Sequence, residues 1–578
     1  MNPRPEIFFD EGGEGRLTVF RQRRGLITTQ KGVTAALAAV DEALAAGNYV
    51  AGYLSYEAGY GFETRLSGRP EGALWFGVYG PPETVAADAL PQWLRGRAYG
   101  GPLEPDWDGG EYSSRFDQVK ALIASGDIYQ ANLTLRAHFA FAGDPMALYA
   151  ALRPAAGSRY GAYLDTGSQQ LLSLSPELFF AVADGTIIAR PMKGTAARQP
   201  DPASDAQARA TLAASAKNRA ENLMIVDLLR NDLGRIAAIG SVTVDDLFAI
   251  ETYPTVHQMV STIRARLRPE IGAAALLWAL FPCGSITGAP KIRAMEVIAD
   301  LETSPRGAYC GAIGWFGPDG SARFNVAIRT LTITNGRGEL GIGGGIVQDS
   351  DCASEYAEAL LKARYYEAAR RPLELIETLR WSAAEGFVRL ERHLDRIAAS
   401  AALFGLVFDR ARARDVLDEA TYALALPEQA PVAHRLRLTL DESGEIACTT
   451  ARLAPSKPVW TVALADRRLQ STDPLARHKI NWREAYDIAP PAGVDELAFL
   501  NERGELVEGA RTNIFVARDG LLLTPPLESG CLAGVLRGEL LADGRAQEAV
   551  LTAADLAGEF YLGNSLRGLV KAVHGPAR

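Results

Sequence analysis

The chain has 578 residues, a formal net charge of −9, 48% hydrophobic and 22% charged residues. A chain of this length exceeds one hydrophobic core, so we expect two large domains or several smaller ones. The acidic balance argues against nucleic acid as the main partner, and the longest apolar run, residues 273–281, is too short to span a bilayer. Residues 1–15 have no signal-peptide pattern, and the five cysteines have neither disulfide-like nor metal-ligand spacing. We therefore predict a cytoplasmic protein with no nucleic-acid and no membrane partner.

Residues 1–110 alternate short apolar runs with Gly/Pro turns, which is typical of sheet-forming sequence. Residues 112–125 have apolar side chains at helical spacing and are followed by Gly126, which predicts a helix that ends there. Gln130 and Asn132 then share one face of a strand, where buried amides need hydrogen-bonding partners.

Glu177 stands in an apolar run, residues 171–180, that we predict to be one strand. Burial would raise the pKa of its carboxyl and suit it to proton transfer. A partner cation would instead make it a structural ion-paired residue. Both interpretations stay open until its neighbours are known.

Lys193 lies in the segment 189–198, where Pro191 ends a short β-branched strand and Gly194 permits a tight bend. This places Lys193 and Thr195 at a strand end. The lysine is either a solvated surface amine or a nucleophile whose amine is partly neutral. The rest of the chain has to decide between the two.

Residues 217–236 have the spacing of a long helix that places two carboxylates on an apolar face. A carboxylate in such a position is costly unless a cation lies beside it. The residues on this face are Glu221, Ile225, Leu228 and Asp232.

A Gly/Ser/Thr-rich loop, residues 281–291, offers backbone N–H groups and hydroxyls to an anion and runs into a helix predicted at 292–300. Strands are predicted at 311–316 and 325–334, and the second carries Arg329.

Residues 341–347 are glycine-rich and precede a helix that begins near residues 351–354. Glu355, Glu358 and Lys362 fall on one face of it. Two carboxylates three residues apart repel each other, and their oxygens suit a hard cation such as Mg²⁺.

These motifs, taken in order over residues 1–370, resemble those of the chorismate-utilising enzymes. The resemblance implies two large β-sheets packed face to face with flanking helices, and Mg²⁺ gripping the ring carboxylate of chorismate. The metal ligands that it implies are Glu221, Glu355 and Glu358. The implied substrate-binding residues are Ser285, Tyr309, Arg329, Gly343, Gly344, Gly345 and Lys362.

Within that family, anthranilate synthases carry alanine at the position of Lys193, whereas aminodeoxychorismate synthases carry lysine. The resemblance therefore implies that the Lys193 amine adds at C2 of chorismate. Glu177 would then assist loss of the C4 hydroxyl, and ammonia would attack C4 and expel the lysine. The catalytic candidates in this half of the chain are Lys193, Glu177, Thr195 and His257. An anthranilate synthase activity is the less favoured alternative.

No cysteine sits in a Gly-x-Cys-x-Gly nucleophile turn, so the ammonia must come from solution or from a separate glutamine amidotransferase subunit.

The second half begins after Pro372 with a strand at 375–381, a turn and a helix at 390–403. His478-Lys479, a Glu508 before a Gly turn and strand, and a helix start at 534–537 follow in that order. Free N–H groups at the last of these suit a phosphate.

These elements resemble the class IV pyridoxal-phosphate enzymes, whose fold is that of the D-amino-acid aminotransferases. The resemblance implies that Lys479 bonds pyridoxal 5′-phosphate and that Glu508 pairs with its ring nitrogen. The residues implied around the phosphate are Arg396, Val535, Leu536, Asn564 and Ser565. The N-terminal hairpin usual in this family is missing before the first strand.

We therefore predict an α/β (α+β) protein of two domains, a chorismate-binding domain at 1–371 and a class IV domain at 372–578. A synthase joined to an aminodeoxychorismate lyase would make 4-aminobenzoate, a folate precursor. A genuine class IV aminotransferase, or a class IV domain that only binds ligand, stays open as an alternative. The resemblance also leaves a homodimer open.

Overall fold

The computed structural model describes residues 4–12, 15–253, 256–422, 424 and 432–575. The chain forms two compact units. The first comprises Met1–Trp93, Leu103–Phe139 and Tyr149–Arg370, and the second comprises Leu94–Pro102, Ala140–Leu148 and Arg371–Arg578. Over the described ranges, no helix has both the length and the apolar character needed to cross a membrane.

Strands dominate the first 370 residues. In chain order they are β1 Ile7–Glu11, β2 Arg16–Phe20, β3 Gly25–Thr29, β4 Tyr49–Leu54, β5 Leu74–Tyr79, β6 Glu83–Ala86, β7 Ala98–Gly100, β8 Glu104–Pro105, β9 Gln130–Gly143, β10 Tyr160–Asp165, β11 Gln170–Ser175, β12 Leu178–Ala183, β13 Thr186–Arg190, β14 Met192–Ala197, β15 Thr243–Thr252, β16 Val256–Arg266, β17 Gly288–Ala289, β18 Ala312–Phe316, β19 Ala322–Val326, β20 Thr330–Thr334 and β21 Arg337–Ile346.

Helices flank these strands. In chain order they are α1 Val33–Ala45, α2 Gly109–Ala124, α3 Pro145–Ala156, α4 Pro202–Ala214, α5 Ala216–Gly234, α6 Ala273–Leu280, α7 Lys291–Leu301, α8 Cys352–Leu361 and α9 Arg364–Ala369. The helices predicted at 112–125, 217–236 and 292–300 correspond to α2, α5 and α7.

The first unit is built on two large sheets. One has the strand order β17-β9-β21-β20-β11-β10-β1-β2-β6, and the other has the order β14-β16-β13-β12-β19-β18-β4-β5-β3. Phe20 of the first sheet packs on Tyr79 and Trp315 of the second, within one shared hydrophobic cluster. A second cluster joins the other face of the second sheet to α1, α5 and α6. The predicted sandwich of two sheets under helices is confirmed.

Two strands expected to be continuous are each broken in two, and this is a correction. The run 171–180 is divided at Pro176-Glu177 into β11 and β12, and the run 325–334 is divided at 327–329 into β19 and β20. In both places the chain leaves one sheet and enters the other. Both breaks lie within apolar runs, so hydrophobic periodicity alone does not show them. Glu177 and Arg329 therefore lie at crossings between the sheets.

The second unit has its own sheets and helices. Its further strands are β22 Leu375–Ser382, β23 Gly386–Phe387, β24 His434–Leu440, β25 Ile446–Arg452, β26 Val459–Leu469, β27 Glu496–Asn501, β28 Leu506–Gly509, β29 Asn513–Arg518, β30 Leu521–Thr524, β31 Ala546–Glu548, β32 Phe560–Asn564 and β33 Gly568–His574. Its further helices are α10 Leu390–Phe404, α11 Arg410–Tyr422 and α12 Val535–Ala542.

The first sheet of the second unit has the order β23-β22-β24-β25, and the second has the order β28-β27-β26-β33-β32-β29-β30-β31. The second sheet is mixed, because β26 pairs in parallel with both β27 and β33. The alternating pattern of β24 is buried at every second residue, as a sheet with one covered face requires. The mixed α/β class predicted for this half is confirmed.

Candidate functional site

Lys193 lies in a bulge of β14. The pairing of β14 with β16 slips between Met192 and Thr195, so one stretch of β14 loops out at Lys193 and Gly194. Gly194 has a φ of 86°, and a Cβ there would come within 2.9 Å of the Asn218 side chain. Glycine is therefore required for both the turn and the space. The bulge thus takes Lys193 out of the regular pairing of the two strands.

Glu177, at the first crossing between the sheets, is only 4% exposed. Burial raises the pKa of its carboxyl to about 7, while Ser285, Lys193 and the Met192 N–H oppose the rise. In the described part of the chain its Oε1 has no hydrogen-bond partner. Glu177 is thus a carboxyl group that can hold or release a proton near neutral pH, within the electrostatic reach of Lys193.

Three glutamates, Glu221, Glu355 and Glu358, lie close enough to influence one another electrostatically, and Lys193 acts on two of them. Burial raises the pKa of Glu221, and Glu355 and Glu358 raise it further, while Lys193 and Lys217 lower it. Glu355 is anchored because its Oε1 accepts from the Ser350 hydroxyl at 2.7 Å. Lys362 lowers the pKa of Glu358 and pairs with it at 3.0 Å. The cluster therefore carries mutually repelling negative charges.

Its fit to a metal ion is chemical rather than geometric. Across the described ranges, no three Asp, Glu, His or Cys side chains already converge as a metal-binding group. The three glutamates nevertheless offer only oxygen ligands and repel one another, which suits Mg²⁺, an ion that keeps waters and completes its shell with a substrate. The three metal ligands remain a prediction.

The glycine-rich stretch forms the end of β21 and is close-packed. A Cβ at Gly343 would meet the Leu133 carbonyl oxygen at 2.3 Å, and one at Gly345 would meet Gln130 Nε2 at 2.2 Å. Gly344 faces Glu355 and Lys362, each 3.4 Å from the position of its Cβ. Lys362 Nζ donates to the Gly343 carbonyl at 2.7 Å. The structure thus brings the glycines, Lys362 and the carboxylates together.

Arg329 occupies the second crossing between the sheets, with a φ of 48°. Burial lowers the pKa of its guanidinium, and its Nη1 donates to the Ala156 carbonyl at 3.1 Å. No carboxylate of the described residues forms an ion pair with it. A half-buried cation of this kind suits a carboxylate ligand. Tyr309 is buried beneath the guanidinium of Arg136, 5.1 Å from the ring centre.

Thr195 and His257 point to other partners. Thr195 Oγ1 donates to Gln258 Oε1 at 2.8 Å. His257 is buried, and its two ring nitrogens lie 3.0 Å from Thr252 Oγ1 and from Asp205 Oδ1. These contacts connect His257 of β16 to Asp205 of α4 and to Thr252 of β15. A catalytic role for His257 stays a prediction.

Asp205 on α4 is the shared acceptor of this hydrogen-bond network. Its carboxylate accepts from Arg198 Nε at 2.9 Å and from the Gln199 N–H at 2.9 Å, in addition to contacting His257. The Arg198 hydrogen bond, followed by that of Gln199, lowers the pKa of Asp205 to about 2. Asp205 was not among the predicted site residues, because no local sequence pattern pairs an aspartate with a histidine 52 positions away.

Lys479 is the corresponding residue of the second unit. Its Nζ donates to Thr378 Oγ1 at 2.9 Å. Burial lowers the pKa of the amine to about 7, Arg396 lowers it further, and Glu377 opposes the shift. A large fraction of this lysine is therefore neutral at physiological pH, which suits bond formation with an aldehyde.

Glu508, at the end of β28, is a second buried acid. Its Oε1 accepts from the Tyr486 hydroxyl at 2.6 Å, and its Oε2 accepts from the Leu532 N–H at 3.0 Å. Burial raises its pKa to about 7. A buried carboxylate of this kind fits the protonated nitrogen of a pyridine ring.

Two of the residues predicted around a phosphate, Arg396 and Ser565, are linked through Glu377 and His393, which the prediction missed. Arg396 donates to both oxygens of Glu377, at 2.8 and 2.6 Å, and to the Ala533 carbonyl just before α12. His393 bridges Glu377 and the Ser565 hydroxyl, at 2.6 and 2.7 Å. Val535 and Leu536 open α12, whose N-cap is Gly534. Asn564 is the exception, because its side chain is bonded to Arg567 and Arg511.

These groups fit pyridoxal 5′-phosphate. The second unit combines a lysine with a depressed pKa, a buried carboxylate, and an arginine tied to the start of a helix. Each matches one part of the cofactor: its aldehyde, its ring nitrogen and its phosphate. The individual roles of these residues remain predictions.

Gln130 is a further residue of the first unit that was not predicted to belong to the site. It is 1% exposed, lies against Gly345, and its Oε1 has no hydrogen-bond partner in the described part of the chain. Its alternation with Asn132 on one strand face was the available signal. Asn132 finds partners in Thr287 and Arg306 through its main chain.

Two relatives with similar sequences each match less than half of this chain. The chain is 47% identical over 264 residues to an aminodeoxychorismate synthase component 1 of Escherichia coli strain K12, covering 45% of this chain and 58% of that protein. It is 40% identical over 265 residues to an anthranilate synthase component 1 of Streptomyces coelicolor, covering 46% and 52% respectively. The chain thus spans little more than half the length of these relatives.

A solved structure agrees with the fold of the first unit. Anthranilate synthase component I from Streptococcus pneumoniae superposes with a TM-score of 0.53 and 26% identity, covering 62% of this chain and 91% of that one. Residues 374–574 match the family described as amino-transferase class IV. Because residues 5–367, more than half of the chain, match the family described as chorismate binding enzyme, the chain belongs to the chorismate-binding enzymes.

Proposed function

We propose that this chain makes 4-aminobenzoate from chorismate in two steps, one in each unit. The first is amination to 4-amino-4-deoxychorismate, and the second is elimination of pyruvate. The observation that carries the proposal is that Lys193, in its bulge, lies within electrostatic reach of a buried Glu177 whose pKa is about 7. The name of the Escherichia coli relative supports the first step, and the class IV match supports the second.

In the first step the neutral Lys193 amine adds at C2, the ring double bonds shift, and the C4–O bond breaks. Glu177 gives its proton to the departing hydroxyl, which leaves as water. Ammonia then adds at C4, the double bonds shift back, and the C2–N bond to Lys193 breaks. The amine is released and Glu177 regains a proton. The net reaction consumes chorismate and ammonia and yields aminodeoxychorismate and water.

Substrate would be held by the cations and hydroxyls around this pair. Arg329, which has no acidic partner among the described residues, would take one carboxylate. Ser285, Tyr309 and Lys362 would orient the rest, and the close-packed glycines Gly343–Gly345 would let the ligand approach the main chain. Glu221, Glu355 and Glu358 would hold Mg²⁺, whose charge would neutralise the ring carboxylate.

The nitrogen would come from free ammonia or from a separate glutamine amidotransferase. Burial raises the pKa of the Cys283 and Cys531 thiols to about 12, so neither is primed as a thiolate nucleophile. Ammonium should therefore support turnover by the purified chain, and glutamine alone should not.

In the second step the chain's own residues would place and deprotonate the substrate. Pyridoxal phosphate supplies an electron sink when bound. Lys479 Nζ would take the proton from C4, and the C3–O bond would break. The proton would return to the departing enolpyruvate, which gives pyruvate and an aromatic ring. Glu508 would keep the ring nitrogen of the cofactor protonated, and Arg396 would hold the phosphate.

The test is incubation of the chain with chorismate, MgCl₂, ammonium and pyridoxal phosphate, followed by product identification. The proposal predicts equal amounts of 4-aminobenzoate and pyruvate. Anthranilate as the product would favour the alternative first step. Aminodeoxychorismate that accumulates without pyruvate would favour an aminotransferase or a non-catalytic class IV region.

The cytoplasmic location and a homodimer also stay predictions.

A further inference from the structure

Two short segments from within the chorismate-binding match fold with the second unit. Leu94–Pro102 and Ala140–Leu148 belong to that unit, although both lie within residues 5–367. They pair with each other, because β7 and the end of β9 are antiparallel, with Tyr99 opposite Ala142. The second unit therefore contains a strand pair that precedes its main segment by more than two hundred residues.

This pair is part of the hydrophobic core around the Lys479 segment. Tyr99 is fully buried, in one cluster with Phe404, Ile480 and Trp482. Its ring meets that of Phe404 edge-on at 5.2 Å and lies 6.3 Å from that of Trp482. Phe404 in turn meets the ring of His478 at 5.2 Å. The residues on both sides of Lys479 thus pack against Tyr99 or its direct neighbour.

Arg97 adds polar bonds at both ends of the same segment. Its Nε donates to Asp473 Oδ2 at 2.7 Å, and its Nη1 donates to the Trp482 carbonyl at 2.7 Å. The main-chain N–H of Arg97 also reaches Asp473 Oδ1, at 3.3 Å. One guanidinium therefore joins the residue six positions before Lys479 to the residue three positions after it.

The opposite side of the segment is fixed to the main body of the unit. Ile376 N–H donates to the Lys479 carbonyl at 2.9 Å, and Ile480 bridges to Leu375. Asp473 also caps the short 3₁₀ turn Pro474–Arg477. With Arg97 removed, β22 would still hold the centre of the segment, but the two ends would lose a shared charged anchor.

We propose that Arg97 is a positioning residue for Lys479: it fixes the segment 473–482 so that the amine points at the cofactor. The inference rests on Lys479 being the cofactor lysine of the proposed function. Its consequence is that the second activity is not carried by residues 372–578 alone, since a residue outside that range orders its central lysine. Arg97 would act on Lys479 only through this segment.

The test uses the full chain with Arg97→Ala, Arg97→Lys and a matched control, Arg95→Ala, which removes an exposed arginine two positions away. We measure hydrogen–deuterium exchange of residues 473–482 in the apo protein. We also measure pyridoxal phosphate affinity and the pH midpoint of its absorbance band. Arg97→Ala should speed exchange in this segment and weaken cofactor binding, each by about tenfold. The pH midpoint should move as well.

Arg97→Lys should show smaller changes in exchange and in affinity, because lysine keeps the positive charge but lacks the two-pronged guanidinium. Arg95→Ala should match the wild type, and amination of chorismate should be unchanged in all three. Wild-type exchange and affinity in Arg97→Ala would overturn the proposal.

If Arg97→Ala unfolds the whole chain, Asp473→Asn decides, because an amide oxygen can still cap the turn while the ion pair is lost. Unchanged exchange at 473–482 in that variant would overturn the proposal. If the wild type binds no pyridoxal phosphate, the proposed function fails, and the exchange measurement still decides whether Arg97 orders the segment.

Discussion

The two units each present a lysine, and they do so by opposite means. Lys193 sits in a strand bulge within reach of Glu177, Glu221 and Glu358. Lys479 is half-buried, close to Arg396 and ion-paired Glu377, where desolvation lowers its pKa to about 7. Lys193 thus lies near several glutamates, whereas Lys479 is desolvated by burial.

The difference has a chemical consequence. Desolvation favours the neutral amine of Lys479 without any ligand. Glu221, Glu355 and Glu358 of the first site repel one another, and a divalent ion would offset their charge. The second site needs only its aldehyde. We therefore expect the first site to depend on an added ion and the second to be ready in the folded chain.

The largest effect should come from removing the first amine. Lys193→Ala should lower the rate of amination at least ~10³-fold, because no enzyme nucleophile remains to add at C2. Lys217→Ala is the matched control: it removes an exposed lysine that acts on the same glutamates. Aminodeoxychorismate is measured by chromatography after incubation with ammonium. A Lys193→Ala chain that aminates chorismate as fast as the control would contradict the role proposed for Lys193.

Glu177→Gln should cost about 10²-fold in the same step, since general acid catalysis contributes on that scale. The pH profile sharpens the test. A group with a pKa of about 7 is protonated below that pH, so at constant free ammonia the amination rate should fall as the pH rises through about 7. The glutamine variant should lose this fall. A profile unaltered by the substitution would assign the titration to another group.

Chelation should stop amination and spare the second step. Glu358→Gln removes one of three repelling carboxylates, so the Mg²⁺ concentration at half activity should rise by 10- to 100-fold, on the order seen when metal sites lose a supporting group. Asp349→Asn, an exposed acid near the same helix, serves as the control. Full amination in excess EDTA would contradict the need for an ion that offsets the charge of the three glutamates.

The smallest effect is a pH dependence of cofactor loading. Lys479 must be neutral to bond an aldehyde, and its pKa of about 7 means that the neutral fraction grows as the pH rises through that value. Pyridoxal phosphate affinity should therefore fall by about tenfold between pH ~8 and pH ~6. Spectroscopic titration of the apo chain measures it. A flat profile over this range would show that burial does not control the amine.

Much of the fold could be predicted from residue patterns. The spacing in α2, α5 and α7 located these helices, and the acid on the buried face of α5 has the cation that burial demands: Asp232 pairs with Lys291 Nζ at 2.6 Å. The strand crossings at Glu177 and Arg329 could not be predicted, because an apolar run looks the same whether the chain stays in one sheet or changes to another.

The candidate sites divide in the same way. The lysines and acids stood out through their motifs, but their partners did not. Asp205 meets His257 only through the tertiary fold, and Arg97 meets Asp473 across 376 positions. No spacing in a single sequence encodes such pairs. The bulge at Lys193 depended on strand register, which Gly194 suggested but did not specify.

Product analysis of Lys479→Ala tests the central claim of two separate lysine-dependent steps most directly. With chorismate, Mg²⁺ and ammonium, this variant should accumulate aminodeoxychorismate and release neither pyruvate nor 4-aminobenzoate. Mixing it with Lys193→Ala should restore 4-aminobenzoate, because each chain supplies the step that the other lacks. Formation of 4-aminobenzoate by Lys479→Ala alone at the wild-type rate would contradict the account.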